Sequence, residues 1–196
     1  MSEARSAAIR VLDEDDAPAF RRLRLRALRD HPDAFGQAFD EALALPVDDY
    51  ARRLREGRLT GSAFVLGAFL DGQLVGIVGC LHEQGRKARH KARIWGMYVA
   101  AEARGRGVGR ALLAATIERA REWAEVEQVR LTVVTENVAA RRLYESFGFQ
   151  PYGLERGALK LDGRYLDEQY LVLRLREPGS PDPASDEPSD SRYRSA

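Results

Sequence analysis

A glycine- and arginine-rich segment has the residue types of a phosphate-binding loop. Between a predicted strand and a predicted helix it holds three glycines and three arginines in close alternation, namely Arg104, Gly105, Arg106, Gly107, Val108, Gly109 and Arg110. Glycines let backbone N–H groups turn toward a ligand without a clash of Cβ atoms. The N-terminus of the following helix adds a partial positive charge, and the arginines add full charges. The segment therefore predicts a cradle for a diphosphate group.

Two common nucleotide-binding loops do not fit this spacing. A Walker loop ends in Lys followed by Ser or Thr, whereas Arg110-Ala111 follows the last glycine here. A dinucleotide-binding fingerprint needs a further glycine where Arg110 stands, and a place near the start of a βαβ unit. The cradle is therefore predicted for a ligand that neither of these loops binds.

The elements that must position this loop follow from hydrophobic periodicity and turn signals. The predicted strands are 8–12, 62–70, 74–82, 91–99, 129–134 and the last pair, around 158–161 and 165–175. The predicted helices are 13–30, 48–56, 108–124 and 138–147. Asp71-Gly72 and Asp162-Gly163 are tight hairpin signals, and Gly57 is expected to end the second helix. The order predicts an α/β (α+β) fold with a mixed, mostly antiparallel sheet of about seven strands flanked by helices.

The composition of the chain excludes several classes of protein. The 196 residues carry 31 Lys and Arg against 30 Asp and Glu, so no global field favours a nucleic acid as partner. The single cysteine, Cys80, provides neither an internal disulfide nor a cysteine-ligated metal site. No apolar run is long enough for a membrane span. The first residues show no signal pattern, so we expect a cytoplasmic enzyme or small-ligand binder without a membrane partner.

The composition changes near Glu177. The segment from Glu177 to Ala196 contains four of the chain's eight prolines, together with five serines. This segment contains no Val, Ile, Leu, Phe or Met. Such a segment cannot bury enough apolar surface to offset the entropy of ordering it. We therefore expect one domain over residues 1–176, followed by a disordered tail over 177–196.

Several motifs in sequence order resemble the GNAT superfamily of acyl-CoA-dependent N-acetyltransferases. The loop 104–109 has that family's Arg-x-x-Gly-x-Gly pattern, and Trp95–Val99 is similar to its fourth strand. Leu131–Val134 and Asn137–Glu145 resemble the fifth strand and the following helix, and Ser146-Phe147-Gly148-Phe149 resembles the start of the sixth strand. These matches cover residues 90–150 almost continuously. The resemblance implies a GNAT fold and an enzyme that uses acetyl-CoA as co-substrate and needs no metal.

The resemblance also assigns roles to individual residues. It implies that residues 104–110 bind the pyrophosphate of CoA and that the backbone of Met97, Tyr98 and Val99 pairs with pantetheine. It further implies that Asn137 contacts pantetheine. Tyr144 stands seven residues later and so on the same helical face. The family uses a tyrosine there as general acid for the CoA thiolate, and a phenol is protonated at neutral pH.

The general base and the acceptor stay open at this stage. Some family members use a glutamate on the fourth strand, but Lys91–Met97 contains no carboxylate. His82, Glu83, Asp167, its neighbour Glu168 or a water are the candidates. The acceptor is expected to be an amine of a small molecule, peptide or protein, held by about 24–50 and 152–167, with Phe35, Phe39, Asp40 and Glu41 as candidate contacts.

Two functions fit these residues. The first is transfer of an acetyl group from acetyl-CoA to a primary amine by direct attack in a ternary complex. The alternative is a non-catalytic acyl-CoA-binding or sensor domain of the same fold. The missing strand-four carboxylate favours this alternative slightly, whereas Tyr144 favours the transferase more. A homodimer is also left open.

Overall fold

The computed structural model describes residues 7–176. The strands are β1 (Ala8–Val11), β2 (Ala63–Leu70), β3 (Gln73–His82), β4 (Lys91–Val99), β5 (Gln128–Val134), β6 (Gln150–Leu161) and β7 (Arg164–Arg174). The helices are α1 (Ala17–Asp30), α2 (Phe39–Ala44), α3 (Val47–Thr60), α4 (Val108–Arg121) and α5 (Val138–Glu145). The expected tail, 177–196, lies outside the described residues. None of the described helices has the length and apolar character of a membrane-spanning helix.

The strands form one seven-stranded sheet in the order β1-β2-β3-β4-β5-β7-β6. Neighbouring strands are antiparallel except β4 and β5, which are parallel. This arrangement confirms the predicted mixed, mostly antiparallel sheet. The two Asp-Gly turns are also as predicted: Asp71 and Gly72 have φ of 48° and 79°, and Asp162 and Gly163 have 49° and 82°. Positive φ at both central residues matches the twist of a two-residue hairpin.

The two parallel strands separate soon after they meet. β4 and β5 pair only from Lys91 opposite Gln128 to Arg93 opposite Arg130. Beyond that point β4 continues to Val99 and β5 to Val134 without pairing to each other. The sheet therefore opens as a V, with backbone N–H and C=O groups along its inner edges.

A β-bulge bends β4 inside the open part of the V. Tyr98 pairs with Ile77 and Trp95 pairs with Gly79, so two residues of β4, Gly96 and Met97, face one residue of β3. Gly96 has a φ of 63°, which favours glycine because it has no Cβ. The bulge turns the backbone of Gly96 and Met97 away from the regular ladder.

Helices cover both faces of the sheet around this V. A Cβ atom built on Gly76 of β3 would lie 2.9 Å from Leu112 of α4, whereas the Tyr98 hydroxyl of β4 donates to Asp30 of α1 at 2.9 Å. α4 therefore packs on one face and α1 on the other, with α3 packed against α1. The core between them includes the fully buried Phe20 and Ile77.

Two helices differ from their predicted form. Gly57 was expected to end a helix, but α3 continues to Thr60 and ends at Gly61, whose φ is 63°. A Cβ atom on Gly57 would lie 2.7 Å from the carbonyl oxygen of Ala63, so this glycine allows α3 to approach β2. The six-residue α2 was not predicted, because it is too short to show a helical repeat.

Candidate active site

A cavity of about 720 Å³ occupies the open V between β4 and β5. Its walls are residues 94–99 of β4, residues 131–134 of β5, most of the loop 103–110, and the start and inner face of α5. The short segment 31–35 after α1 closes another side. The cavity therefore lies at the carboxyl ends of the two separated strands and at the amino ends of α4 and α5.

The glycine loop, residues 104–110, exposes its backbone at the N-terminus of α4. Gly105 and Gly107 have φ of 72° and 77°. Residues with a Cβ adopt this backbone region only at a cost in conformational free energy. A Cβ atom on either glycine would have no neighbour within 4 Å, so the glycines are required by backbone conformation and leave space above it. Gly107 is the N-cap of the 14-residue α4 and offers no side-chain oxygen to its first N–H groups. Those N–H groups stay available to an anionic ligand.

Gly109 packs the start of α4 closely against its neighbours. A Cβ atom on Gly109 would lie 3.5 Å from Leu143 of α5 and 3.7 Å from Met97 and from Val99 of β4. The side chains of Met97 and Val99 therefore face α4 and α5, while Tyr98 between them faces α1. β4 thus turns one face toward the glycine loop, α4 and α5 and the other face toward α1.

Two of the three loop arginines line the cavity. Arg104 donates from Nε to the carbonyl oxygen of Val99 at 3.0 Å, and its Nη2 lies 2.7 Å from His31 Nε2. Arg110 donates to the Ser146 hydroxyl at 3.3 Å. Arg106 is exposed and does not line the cavity. The loop therefore brings two fixed cations to the cavity, and Arg106 stands apart from the predicted set.

Asn137 and Tyr144 lie on the cavity side of α5, as their spacing predicts. The Asn137 Oδ1 accepts from the Ala140 N–H at 3.1 Å and caps the helix, which leaves its amide N–H groups free to bond a ligand. The Tyr144 side chain is buried, and its hydroxyl lies 3.7 Å from the sulfur of Met97. Burial raises the pKa of Tyr144 to about 12. The phenol is therefore a protonated donor at neutral pH, held beside the β4 bulge.

His82 and Glu83, two of the predicted base candidates, lie at the wrong end of the sheet. His82 pairs with Ala92, within the segment where β4 and β5 are still joined, and its ring stacks on Trp123 at 5.2 Å. Glu83 forms an ion pair with Arg93 at 3.4 Å. The cavity opens at the opposite ends of these strands, so the prediction for both residues was wrong.

The other base candidates lie on β7, next to the cavity end of β5. Asp167 accepts the N–H of Gly157 at 2.8 Å through its carboxylate and the N–H of Thr135 at 2.9 Å through its carbonyl oxygen. This carboxylate therefore holds the bulged part of the β6–β7 hairpin. Glu168 pairs directly with Val134, a cavity-lining residue, and opposite residues of antiparallel strands share a face.

Glu168 belongs to a small acidic cluster. Glu155 lies directly opposite it on β6 and also accepts a short hydrogen bond from the Tyr170 hydroxyl. Burial, and then the nearby charge of Glu155, raise the pKa of Glu168. A carboxyl group with a raised pKa is a better proton acceptor than an ordinary one.

Arg24 lies within the range 24–50 expected to hold the acceptor but was not singled out there, and the structure places it next to Gly96 and Phe35 of the cavity wall. Arg24 of α1 is only 8% exposed. Its Nη2 donates to the Gln37 side-chain oxygen at 3.2 Å, and its guanidinium lies 4.7 Å from the centre of the Phe35 ring. Asp33 lines the cavity from the same segment as Phe35. Phe35 was expected here, whereas Phe39 packs against a small cluster formed by α1 and α2.

Arg24 had one sequence signal. It stands four residues after Phe20 and four before Leu28, in the apolar stripe of α1. An arginine in such a stripe is buried by its position, although the other arginines of this helix suggested a uniformly solvated face.

Comparison with known proteins decides the family. Residues 20–149 match the Acetyltransferase (GNAT) family. The chain belongs to this family. It is 31% identical over 107 residues to the L-amino acid N-acetyltransferase AaaT of Escherichia coli (strain K12), a match that covers 55% of this chain and 65% of that relative, just under two thirds. It is 33% identical over 126 residues to the N-alpha-acetyltransferase RimI of Mycobacterium tuberculosis, covering 64% of this chain and 67% of the relative.

Solved structures agree with the GNAT fold. A ribosomal-protein-alanine N-acetyltransferase from Brucella melitensis is 28% identical, with a TM-score of 0.75 over 86% of this chain and 99% of that one. The yncA structure from Salmonella typhimurium, solved with its cofactor acetyl-CoA, is 24% identical and superposes with a TM-score of 0.79 over 91% and 99%. The GNAT family is an acetyltransferase family, and acetyl-CoA is its co-substrate.

The cavity of this GNAT chain brings together two kinds of hydrogen-bonding group. The loop 104–110 contributes N–H groups at the start of α4 and two arginines, and the separated edges of β4 and β5 contribute peptide groups. Among residues 7–176 no group of three or more His, Cys, Asp or Glu side chains could hold a metal ion.

Proposed function

We propose that this protein transfers the acetyl group of acetyl-CoA to a primary amine by direct attack in a ternary complex. One observation carries the proposal: a single cavity contains the glycine loop at one end and the buried Tyr144 hydroxyl, beside the β4 bulge, within it. The first feature suits the pyrophosphate of CoA and the second suits its departing sulfur. A cytoplasmic location belongs to the proposal, because acetyl-CoA is abundant there.

Binding of acetyl-CoA uses backbone groups more than side chains. The N–H groups from Gly107 onward hold the pyrophosphate, with Arg104 and Arg110 adding charge. Pantetheine lies in the V as an extra strand against the unpaired edge of Met97–Val99, and the free Asn137 amide donates to one of its carbonyl groups. This arrangement leaves the thioester at the bulge.

The transfer step forms one bond and breaks one. The neutral amine attacks the thioester carbonyl carbon, and the carbonyl oxygen becomes an oxyanion that a β4 N–H at the bulge stabilises. The C–S bond then breaks, and the sulfur takes the proton of Tyr144 as it leaves. The attacking nitrogen carries an extra proton into the adduct and loses it through water to the Tyr144 phenolate, so the amide product, the CoA thiol and Tyr144 all end neutral.

We propose Glu168 as the base that removes the proton of the incoming ammonium, through a water. The proposal is supported by the pairing of Glu168 with Val134, a cavity-lining residue, and by burial and the nearby Glu155, which raise the pKa of Glu168. Asp33 and Glu136 also border the cavity, but Glu136 is paired with Arg164 at 3.4 Å. Asp167 is occupied by the Gly157 N–H.

A binding measurement combined with a turnover assay tests the proposal. Calorimetry with CoA should show binding to the wild-type chain, and acetyl-CoA with a panel of amines should release free thiol from at least one of them. Release of thiol that depends on the amine supports a transferase. Tight CoA binding without thiol release on any amine would instead support the acyl-CoA sensor, and absence of CoA binding would refute both.

A further inference from the structure

Arg24 is a buried cation with an incomplete set of partners. Its side chain is 92% buried, since 8% remains exposed. Nη2 donates to Gln37, whereas the buried Nη1 has no hydrogen-bond partner among the described residues. Most buried polar atoms in native proteins are satisfied, so an unsatisfied guanidinium nitrogen calls for an explanation.

The charge of Arg24 is also uncompensated. No carboxylate in residues 7–176 forms an ion pair with it, and the ionisable groups that act on it are Tyr50 and a second cation, Arg53. By contrast, Arg26 on the same helix forms a bidentate pair with Glu102 at 2.7 Å. Burying an unpaired charge is costly, and burial lowers the pKa of Arg24 to about 10.

The free nitrogen lies behind the wall of the candidate active site, because Arg24 contacts residues that line the cavity but does not line it itself. A Cβ atom on Gly96, the bulge residue of β4, would lie 3.6 Å from Arg24 Nη1. Gly96 and Phe35, on which the guanidinium stacks, both line the cavity. Because Met97 and Val99 face the glycine loop and α5, Arg24 approaches β4 from the opposite side, where an amine would reach the thioester.

We propose that Arg24 binds the carboxylate of the acceptor, so that the substrate is a small amine that also carries a carboxylate, as amino acids do. One N–H of Nη2 is used by Gln37, and the other N–H of Nη2 together with Nη1 forms a free edge that matches the two oxygens of a carboxylate. The inference rests on the proposed acetyltransferase function, because the carboxylate belongs to the amine that is acetylated.

The experiment compares acids with amides that differ in that one group. The acceptors are the twenty L-amino acids and their carboxamides, each tested with acetyl-CoA. Thiol release is followed for wild type, Arg24→Met, Arg24→Lys and Arg29→Met. Arg29 is the matched control, since it lies on the same helix and its guanidinium stacks on Phe39 at 5.1 Å, but it is exposed. Calorimetric titration of the CoA-bound proteins with the same compounds provides a second readout.

We expect the best amino acid to exceed its amide at least tenfold in kcat/KM on wild type. Arg24→Met should raise KM for the acid at least tenfold, change the amide less than twofold and leave KM for acetyl-CoA unchanged. Arg24→Lys keeps the charge but loses the two parallel N–H groups of the guanidinium, so its KM for the acid should lie between those of wild type and Arg24→Met. Arg29→Met should match wild type. Equal use of acid and amide by wild type, or an equal loss of both in Arg24→Met, would overturn the inference and leave the transferase intact.

Failure of the transferase itself gives a different pattern. If no amine releases thiol, the proposed function is refuted, and the titration alone decides the role of Arg24. Binding of an amino acid to the CoA-bound wild type that Arg24→Met abolishes and Arg29→Met keeps would sustain the carboxylate site. Absence of any Arg24-dependent binding would refute it.

Discussion

Replacement of Arg24 by Met should make the unliganded protein more stable, which is the opposite of what loss of a structural arginine does. Met retains an unbranched side chain that can fill the space of the arginine stem between α1 and β4. It removes a buried charge that has no carboxylate partner in the part of the chain that the structure describes. The variant therefore separates the cost of this charge from the value of the packing around it.

The magnitude follows from the pKa and the contacts of Arg24. Burial lowers the pKa from its ordinary value above 12 to about 10, which corresponds to about 3 kcal/mol of destabilisation of the charged form. The variant loses the hydrogen bond to Gln37, worth about 1 kcal/mol, and the contact with Phe35, worth about 1 kcal/mol. The net expectation is a gain of about 1 kcal/mol, or a Tm higher by about 2–4 °C for a chain of this length.

Thermal and urea unfolding of the two unliganded proteins measure this difference, with Arg29→Met expected within about 0.5 kcal/mol of wild type. The folded pKa of Arg24 is depressed, so the cost is fully present below pH 10 and decreases as the pH rises through that value. The gain in the free energy of unfolding of Arg24→Met should therefore be constant between about pH 6 and pH 8. It should become smaller above about pH 10. A variant less stable by about 2 kcal/mol would show that Arg24 is a satisfied structural residue.

Three further predictions concern the proposed chemistry. Gly107→Val should weaken CoA binding in calorimetry at least tenfold, about 1.4 kcal/mol, because a side chain would occupy the space above the loop. The control is Gly61→Val, which is strained in the same way at a φ of 63°. It is remote from the cavity and should bind CoA normally. Tyr144→Phe should keep CoA affinity within a few-fold and lower kcat and kcat/KM by about 10² in the thiol assay. Glu168→Gln should remove the acid limb of the pH profile of kcat/KM, and Glu155→Gln should move that limb to lower pH, because Glu155 raises the pKa of Glu168.

Each of these predictions has an outcome that contradicts it. Unchanged CoA affinity in a folded Gly107→Val would exclude the loop as the pyrophosphate site. A wild-type rate in Tyr144→Phe would make Tyr144 a packing residue, with water protonating the thiolate. An acid limb that persists in Glu168→Gln would assign the base to another group.

The parts of the fold that local chemistry determines could be predicted from the sequence. β4 begins at Lys91 and ends at Val99 as its apolar run predicts, and both Asp-Gly turns adopt the backbone that those residues favour. The loop 104–110 follows from glycine and arginine spacing, and the shared face of Asn137 and Tyr144 follows from the helical repeat. In each case the residues involved are close together in the sequence.

The parts that depend on distant contacts could not be predicted. Gly57 reads as a helix end, and only the carbonyl oxygen of Ala63 explains why it stands inside α3. His82 ends β3, which was expected to bring it near the site, but the antiparallel pairing with β4 places it at the closed end of the V. The burial of Arg24 depends on Phe35, Gln37 and Gly96, which belong to other elements.

The short pairing of β4 and β5 would make acetyl-CoA, bound as proposed, a part of the architecture. The antiparallel ladders β1–β4 and β5–β7 are joined through only three parallel residue pairs, from Lys91 opposite Gln128 to Arg93 opposite Arg130. A ligand that bridges the rest of the gap binds the folded chain and not the unfolded one, so it stabilises the protein by about 2.7 kcal/mol at a hundred times its Kd. On the proposed binding mode, the free energy of unfolding of this chain should therefore rise with the concentration of acetyl-CoA.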